Sequence, residues 1–304
     1  MKKFKFIPVV VCVIMLAVAL TGCNLFKDDY KTFQVQYTPN LQLLLGEEWH
    51  DDLIKGTATK SDDTEEDVTS KMTIDTSEYN KDKLGKYKIY FEFSGIKVNY
   101  EVEVVNEITN SALITSRLQQ VCKNSFEAKD GVLNFNAHYS NDVTYNEAEG
   151  KLNQYLVYKQ NGENINIYYK WEESSADLSA SSAIYQMWYI GTAESGTITL
   201  YSNLGEVDVA TDMTIADFDA TTYSIAEQIV QVYSELDAYM IVESFFEAKD
   251  LIFAGSLTKN AGLYTLQETD IGTIKYQDDK VIYIDGISVT YNEATIPQIP
   301  AIVE

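Results

Sequence analysis

Phe33-Gln34-Val35-Gln36-Tyr37 alternates apolar and polar residues with a period of two. In a strand, successive side chains point to opposite faces, so such a run buries one face and wets the other; on a helix the same residues would scatter around the axis. The pattern repeats down the first third of the chain. Leu41 to Leu45 is a second run, closed by Gly46, and Lys71 to Asp75 is a third. Tyr87 to Phe93 and Lys97 to Val105 form a hairpin around Ser94-Gly95. No helical period interrupts residues 32–106. Short strands at regular spacing over that length imply a β-sandwich.

Several segments of this region resemble a known family. Asp67-Val68-Thr69, Ile74-Asp75, Leu84-Gly85-Lys86-Tyr87-Lys88-Ile89-Tyr90 and Val98-Asn99-Tyr100-Glu101-Val102-Glu103-Val104 are similar to bacterial immunoglobulin-like domains. Those domains end with a Gly-x-Tyr-x-Val-x-Tyr strand, a turn and a last Val-rich strand. The resemblance implies an all-β immunoglobulin-like sandwich over 32–106, with the glycine starting a strand and alternating Tyr and Ile facing the core. It implies a spacer or adhesion role. The family has no common catalytic site, so it assigns no site residues.

A different pattern begins at Glu107-Ile108-Thr109-Asn110. Asn110 suits a helix N-cap, and Leu113, Ile114, Leu118, Val121 and Cys122 share one face at helical spacing. Strands are expected at 132–139, 152–159, 165–171, 184–190 and 197–201, with turns carrying Asn161-Gly162 and Ser195-Gly196. Ser224-Ile225-Ala226-Glu227 fits a capping box. It opens a second expected helix to about residue 242, with a stripe of Ile225, Ile229, Val232, Leu236 and Met240. Further strands are expected at 251–257, 262–269, 273–276 and 281–291. The fold class over 107–304 is therefore α+β, an antiparallel curved sheet packed with two helices.

That element order resembles the half-barrels of LolA and LppX-type lipoproteins. Gly272 to Lys280 and Thr290 to Pro297 are similar to the close of those domains, a hairpin, a final strand and an Ile-Pro. The resemblance implies a sheet wrapped around an apolar cavity that carries acyl chains or lipidated partners. Phe126 to Asp130 is echoed by Phe246 to Asp250, and Val143 to Ala148 by Val289 to Ala294. The two offsets differ, which argues against a tandem repeat and leaves a diverged duplication or coincidence in a biased composition.

Lys2, Lys3 and Lys5 precede an apolar run from Phe6 to Leu20, shorter than the roughly 20 residues a membrane-spanning helix needs. Such a segment reads as a signal peptide. Leu20-Thr21-Gly22-Cys23 resembles the lipobox of bacterial lipoproteins. The resemblance implies a lipoprotein signal peptide over 1–22, a diacylglycerol thioether on Cys23, a tether over 23–31 and residence on the extracytoplasmic face of the cell membrane. Beyond Cys23 only Cys122 remains in the mature chain. A lipidated Cys23 leaves it no disulfide partner, so the fold rests on its core.

The formal net charge is −23, which repels phosphate backbones and argues against nucleic acid as a partner. Catalytic signatures are absent from the sequence: there is no Gly-x-Ser-x-Gly, His-Glu-x-x-His or Cys-x-x-Cys, and the two histidines, His50 and His138, lie in different halves. No cofactor, metal or catalytic residue is expected. Ser256-Leu257-Thr258-Lys259 matches the Ser-x-x-Lys signature of serine acyltransferases without its companion motifs, and reads as strand and turn. Asp62 to Asp67 offers oxygens for calcium but lacks the spacing of an EF-hand loop, and reads as a solvated loop, as do Glu172, Glu173 and Asp177. Cys122, on an apolar helix face, reads as a buried small hydrophobe.

Tyrosine is the abundant aromatic, with 22 residues against 12 Phe and 3 Trp. Tyr168-Tyr169-Lys170-Trp171 and Tyr185-Gln186-Met187-Trp188-Tyr189 place aromatics on neighbouring strands. Open aromatics of this kind stack on sugars or anchor a protein partner; closed ones fill a core. The candidate ligand-binding set is Tyr169, Trp171 and Trp188 with Leu236 and Met240. Three functions follow. The first is a lipid-anchored, non-enzymatic binding protein whose ligand is an acyl chain or other hydrophobic molecule, or a surface protein or glycan. The second is a cell-surface adhesion or assembly protein without a small-molecule cavity, in which both domains present surface. The third, for which the sequence offers least, is a carboxylate-only glycosidase.

Overall fold

The computed structural model describes residues 30–37, 41–50, 54–145, 148–175, 184–202, 207–218, 220–221, 251–291 and 295–300. Cys23, the signal peptide at 1–22 and most of the tether lie outside the described residues, as does the expected helix at 225–242 with Leu236 and Met240. The chain is mostly β and divides into two compact units, Met1–Ser116 with Ile252–Ala261, and Arg117–Leu251 with Gly262–Glu304.

The first unit begins with strands β1 (Tyr30–Tyr37), β2 (Gln42–Leu44), β3 (Ile54–Lys60), β4 (Glu65–Asp67), β5 (Thr73–Asp75), β6 (Gly85–Phe93), β7 (Ile96–Val105) and β8 (Glu107–Ile108). Tyr30 and Lys31, assigned to the tether from sequence, open β1 instead: Tyr30 pairs with Lys60. One sheet runs β1-β3-β4 and the other β2-β7-β6-β5. The period-two runs supply the core, with Phe33 and Val35 buried on β1, Ile89 and Phe91 on β6, and Val98, Val102 and Val104 on β7. Each such side chain contributes about 1.5–3 kcal/mol on burial. The layers meet where the rings of Phe33 and Phe93 lie 5.8 Å apart and the Tyr100 hydroxyl donates to the Val35 carbonyl at 2.6 Å. β2 joins β7 in parallel, from Gln42↔Glu103 to Leu44↔Val105. The β6–β7 hairpin turns through Ser94 and Gly95, both at positive φ (50° and 79°), the pair of left-handed residues that a two-residue type I′ turn demands.

Helix α1 (Ser111–Phe126) follows, and the division between the units falls within it. The Asn110 side chain accepts from the Leu113 amide at 3.2 Å, the expected N-cap. Leu113, Ile114, Leu118, Val121 and Cys122 are all buried, as their spacing requires.

The second unit contains β9 (Val132–Tyr145), β10 (Ala148–Asn161), β11 (Asn164–Ser175), β12 (Ile184–Gly191), β13 (Gly196–Ser202) and β14 (Val207–Met213). β15 (Gly255–Asn260) belongs to the first unit, where Leu257 pairs with Ile108 of β8. β16 (Leu263–Glu268), β17 (Gly272–Gln277), β18 (Lys280–Ile284) and β19 (Ile287–Thr290) complete the second. Its strands run β14-β13-β12-β11-β10-β9-β19-β18-β17-β16 in a curled sheet. The pairs of this unit are antiparallel, so the sheet grows by hairpins. The expected single strand 281–291 is broken at Asp285-Gly286, both at positive φ, which makes the tight turn between β18 and β19.

The last turns of α1 cover one face of this sheet. The rings of Phe126 and Phe135 sit edge to face at 5.4 Å, and Phe135 stacks on Tyr158 at 5.4 Å. Buried Ser125 takes the Val281 amide on its hydroxyl oxygen at 2.9 Å and donates back to Val121 at 2.6 Å. A second helical segment begins at residue 215, opened by a reciprocal cap in which Asp217 accepts from the Thr214 amide at 2.7 Å. Its Phe218 is fully buried against Tyr189, 6.0 Å between rings. Among the described residues no helix is long and apolar enough to cross a membrane.

Candidate functional site

Strand register decides what the aromatic residues of β11 and β12 can do together. Tyr168 pairs with Trp188, Tyr169 with Met187 and Trp171 with Tyr185. On β10, Leu156 faces Tyr169 and Gln154 faces Trp171. Directly paired residues point to the same side of a sheet, so Tyr169 and Trp171 share one face with Met187, and Trp188 lies on the other with Tyr168. The expected trio does not converge. Tyr169, Trp171 and Trp188 are each 3% exposed or less. Tyr169 reaches Gln154 at 3.4 Å, and Trp171 packs 5.7 Å from Tyr185. On the opposite face the Trp188 ring lies 5.2 Å from Tyr168, and its indole nitrogen donates to the Pro297 carbonyl. These three side chains fill the two sides of the sheet.

The face that holds Trp188 carries a row the residue spacing did not announce. Ser288, His138, Tyr155, Lys170, Gln186 and Tyr201 pair successively across β19, β9, β10, β11, β12 and β13. The His138 and Tyr155 rings stack at 4.4 Å, 8° from parallel. The Lys170 ammonium sits 5.6 Å from the Tyr155 centroid and 2.8 Å from the Glu172 carboxylate. The Tyr168 hydroxyl donates to Gln186 Oε1 at 2.9 Å. Burial, and then the nearby Glu172 charge, push the Tyr168 hydroxyl up to about 12. His138 Nε2 and Ser140 Oγ are buried with no hydrogen-bond partner among the described residues. Half-buried rings, an ammonium and amide donors in one line can stack on and hydrogen-bond a polar partner.

Of the other residues singled out from sequence, Glu172 and Glu173 lie on β11 rather than in a loop, and Asp177 lies outside the described residues. Ser256 and Lys259 lie on β15, three residues apart and therefore on opposite faces; Ser256 donates to Glu107 and Lys259 to the Gly46 carbonyl at 2.8 Å. No serine–lysine pair forms. The acidic stretch at 62–67 is partly strand rather than all loop, since Glu65–Asp67 is β4. Asp62 accepts from the Thr64 amide and hydroxyl, at 3.0 and 2.6 Å. Glu66 accepts from Tyr30 at 2.8 Å and pairs with Lys60 at 2.9 Å and with Lys71. Cys122 is buried, and burial pushes its thiol up to about 12.

Comparison with known proteins gives no matching family model, no matching curated protein and no matching solved structure.

Proposed function

We propose that this chain is a lipid-anchored protein of the extracytoplasmic membrane face that binds a surface partner without catalysing a reaction. The lipobox-like Leu20 to Cys23 supports the anchor. Two facing sheets and the parallel β2–β7 pairing support an immunoglobulin-like sandwich acting as a spacer. The observation that carries the binding role is the His138–Tyr155–Lys170 row, half-buried on a sheet whose other face is filled by Tyr169, Trp171 and Met187. One face is filled, and the other carries this half-buried polar, aromatic strip beside buried Trp188 and Tyr168, which favours the adhesion or assembly reading over carriage of an acyl chain. The curled sheet with α1 on one face supports the half-barrel reading as the second.

The anchor is tested by labelling cells with a fatty-acid analogue. Wild-type protein should take up label and Cys23→Ser should not; equal label in both removes the anchor. A fluorescent fatty acid titrated into the purified full chain separates the two binding readings. No saturable binding is expected. Saturable binding would restore the half-barrel lipid carrier in place of the surface binder.

A further inference from the structure

A groove on the first unit carries side chains that neither the anchor nor the C-terminal row explains. It is an open depression of about 770 Å³ between the segment after β2 and the loop after β5, and its lining includes Glu48, Trp49, Glu78, Tyr79, Asn80 and Lys81. That size falls within the range of small-molecule clefts, about 300–1,000 Å³.

The groove is braced without any ligand. Tyr79 donates from its hydroxyl to the Glu47 carbonyl at 2.6 Å, the Gly46 amide donates to the Lys81 carbonyl at 2.8 Å, and Lys81 is ion-paired with Glu48. These contacts tie the two walls together. The loop wall is folded by its own turns, with the Tyr79 amide on the Thr76 carbonyl at 2.9 Å and the Asp82 amide on Asn80 Oδ1 at 3.0 Å. Trp49 is half-buried, its ring 6.5 Å from Tyr79 and 6.5 Å from Phe91, a core ring only 1% exposed. A braced cleft loses little entropy when it binds.

Its chemistry is mixed. Glu78 already accepts from the Tyr90 hydroxyl at 3.0 Å, and the Lys81 hydrogen bond holds the Glu48 carboxyl below its ordinary range. A cationic ligand would compete with Lys81 for Glu48. An anion would meet Glu48, Glu78 and Asp82. A neutral ring bearing hydroxyls conflicts with neither: it donates to the remaining carboxylate lone pairs, accepts from Lys81 and the Asn80 amide, and lays its C–H face on the indole.

We propose that this groove binds a neutral saccharide, with Trp49 as the stacking platform and Glu78 and Asn80 as hydroxyl partners. The inference is independent of the membrane anchor, which Cys23 labelling reads separately. Isothermal titration of the full chain with neutral tetrasaccharides of glucose, mannose and N-acetylglucosamine should give saturable binding to at least one, at about millimolar Kd or tighter. Trp49→Ala should weaken it by about tenfold or more, as loss of an aromatic anchor does. Glu78→Gln and Asn80→Ala, both at exposed positions, should each weaken it by about three- to tenfold while leaving the fold intact, so the test survives if Trp49→Ala unfolds. No binding to any of the three sugars would overturn the proposal. So would sugar binding unchanged in Glu78→Gln and Asn80→Ala, or spermidine displacing the sugar.

Discussion

The indole Nε1 of Trp188 donates to the carbonyl oxygen of Pro297 at 2.9 Å, joining residues 109 positions apart. The bond places the last described segment of the second unit on the sheet face that carries Trp188 and Tyr168. A buried indole requires an acceptor, and this segment provides it. Trp188 therefore fastens the segment 295–300 to the sheet and cannot share a surface with Tyr169 and Trp171, which β11 directs to the other side.

Trp188→Phe should keep most of the ring packing and lose the hydrogen bond. The expected loss is about 0.5–1.5 kcal/mol, from the bond alone, since Pro297 is exposed and water can reach its carbonyl. Residues 295–300 should become more sensitive to protease than in the wild type. An unchanged cleavage rate in that segment would show that the bond does not hold it.

Glu66 gives the first unit an acid-sensitive clasp. Hydrogen bonds from Lys71, Lys60 and Tyr30 pull its carboxyl down to about 2 from an ordinary 4.5. A carboxyl lowered by folding stabilises the native state above its unfolded value, and that stability is lost as pH falls through the folded one. Stability should therefore decline between pH 4.5 and about 2. Glu66→Gln should flatten that part of the curve, read as melting temperature against pH. A profile with the same acid slope would remove Glu66 as its source.

Why some of this was legible and some not follows from turns. The β10–β11 hairpin turns beside Asn161-Gly162, so a sequence reader can place the turn to within two residues. A two-residue error moves partners along the strand without exchanging its faces. The common face of Tyr155 and Lys170 was therefore within reach, although the residue spacing alone did not prompt the step. The link between β11 and β12 is long, covering 176–183, and carries no short turn signal. Its register is set by packing on both faces, so the side on which Trp188 falls could not be read. In the first unit β3 is hard to read because its buried positions, Ile54, Gly56 and Ala58, are mostly small and give a weak apolar alternation, and β4 because Glu65–Asp67 is polar and held through Glu66 by Lys60 and Lys71. α1 was legible to its cap because Asn110 and the apolar stripe gave the same answer.

Cys122 should be inert in the folded protein. Burial alone raises its thiol to about 12 from 9.0, so almost no thiolate exists near neutrality. Iodoacetamide at pH 8 should leave it unmodified in the native state and label it in denaturant, by mass spectrometry. The stability that the neutral thiol contributes is fully present below its ordinary value of 9.0 and is lost as pH rises toward about 12. Cys122→Ala should reduce the alkaline loss attributable to this group. Rapid native labelling would show that α1 opens readily.

The turn between β12 and β13 supplies a last test of the core. A Cβ on Gly196 would lie 2.6 Å from the Tyr189 ring and 2.8 Å from the Ile190 carbonyl. Tyr189 cannot give way easily. It is fully buried, its ring packs on Phe218, and its hydroxyl is in reach of the Thr192 and Met213 carbonyls. Gly196→Ala should thus cost about 1–3 kcal/mol through overpacking. Tyr189→Leu should cost more, since it removes a buried ring and its hydrogen bonds, at about 2–5 kcal/mol. The smaller side chain also clears the space that the alanine methyl needs. The double variant should therefore be less destabilised than the two single losses together, by about 1 kcal/mol or more, because the residues share one contact. Urea unfolding midpoints of the four proteins measure this directly. Strict additivity would mean that the Gly196 methyl is resisted by backbone alone and that Tyr189 is not what requires glycine there.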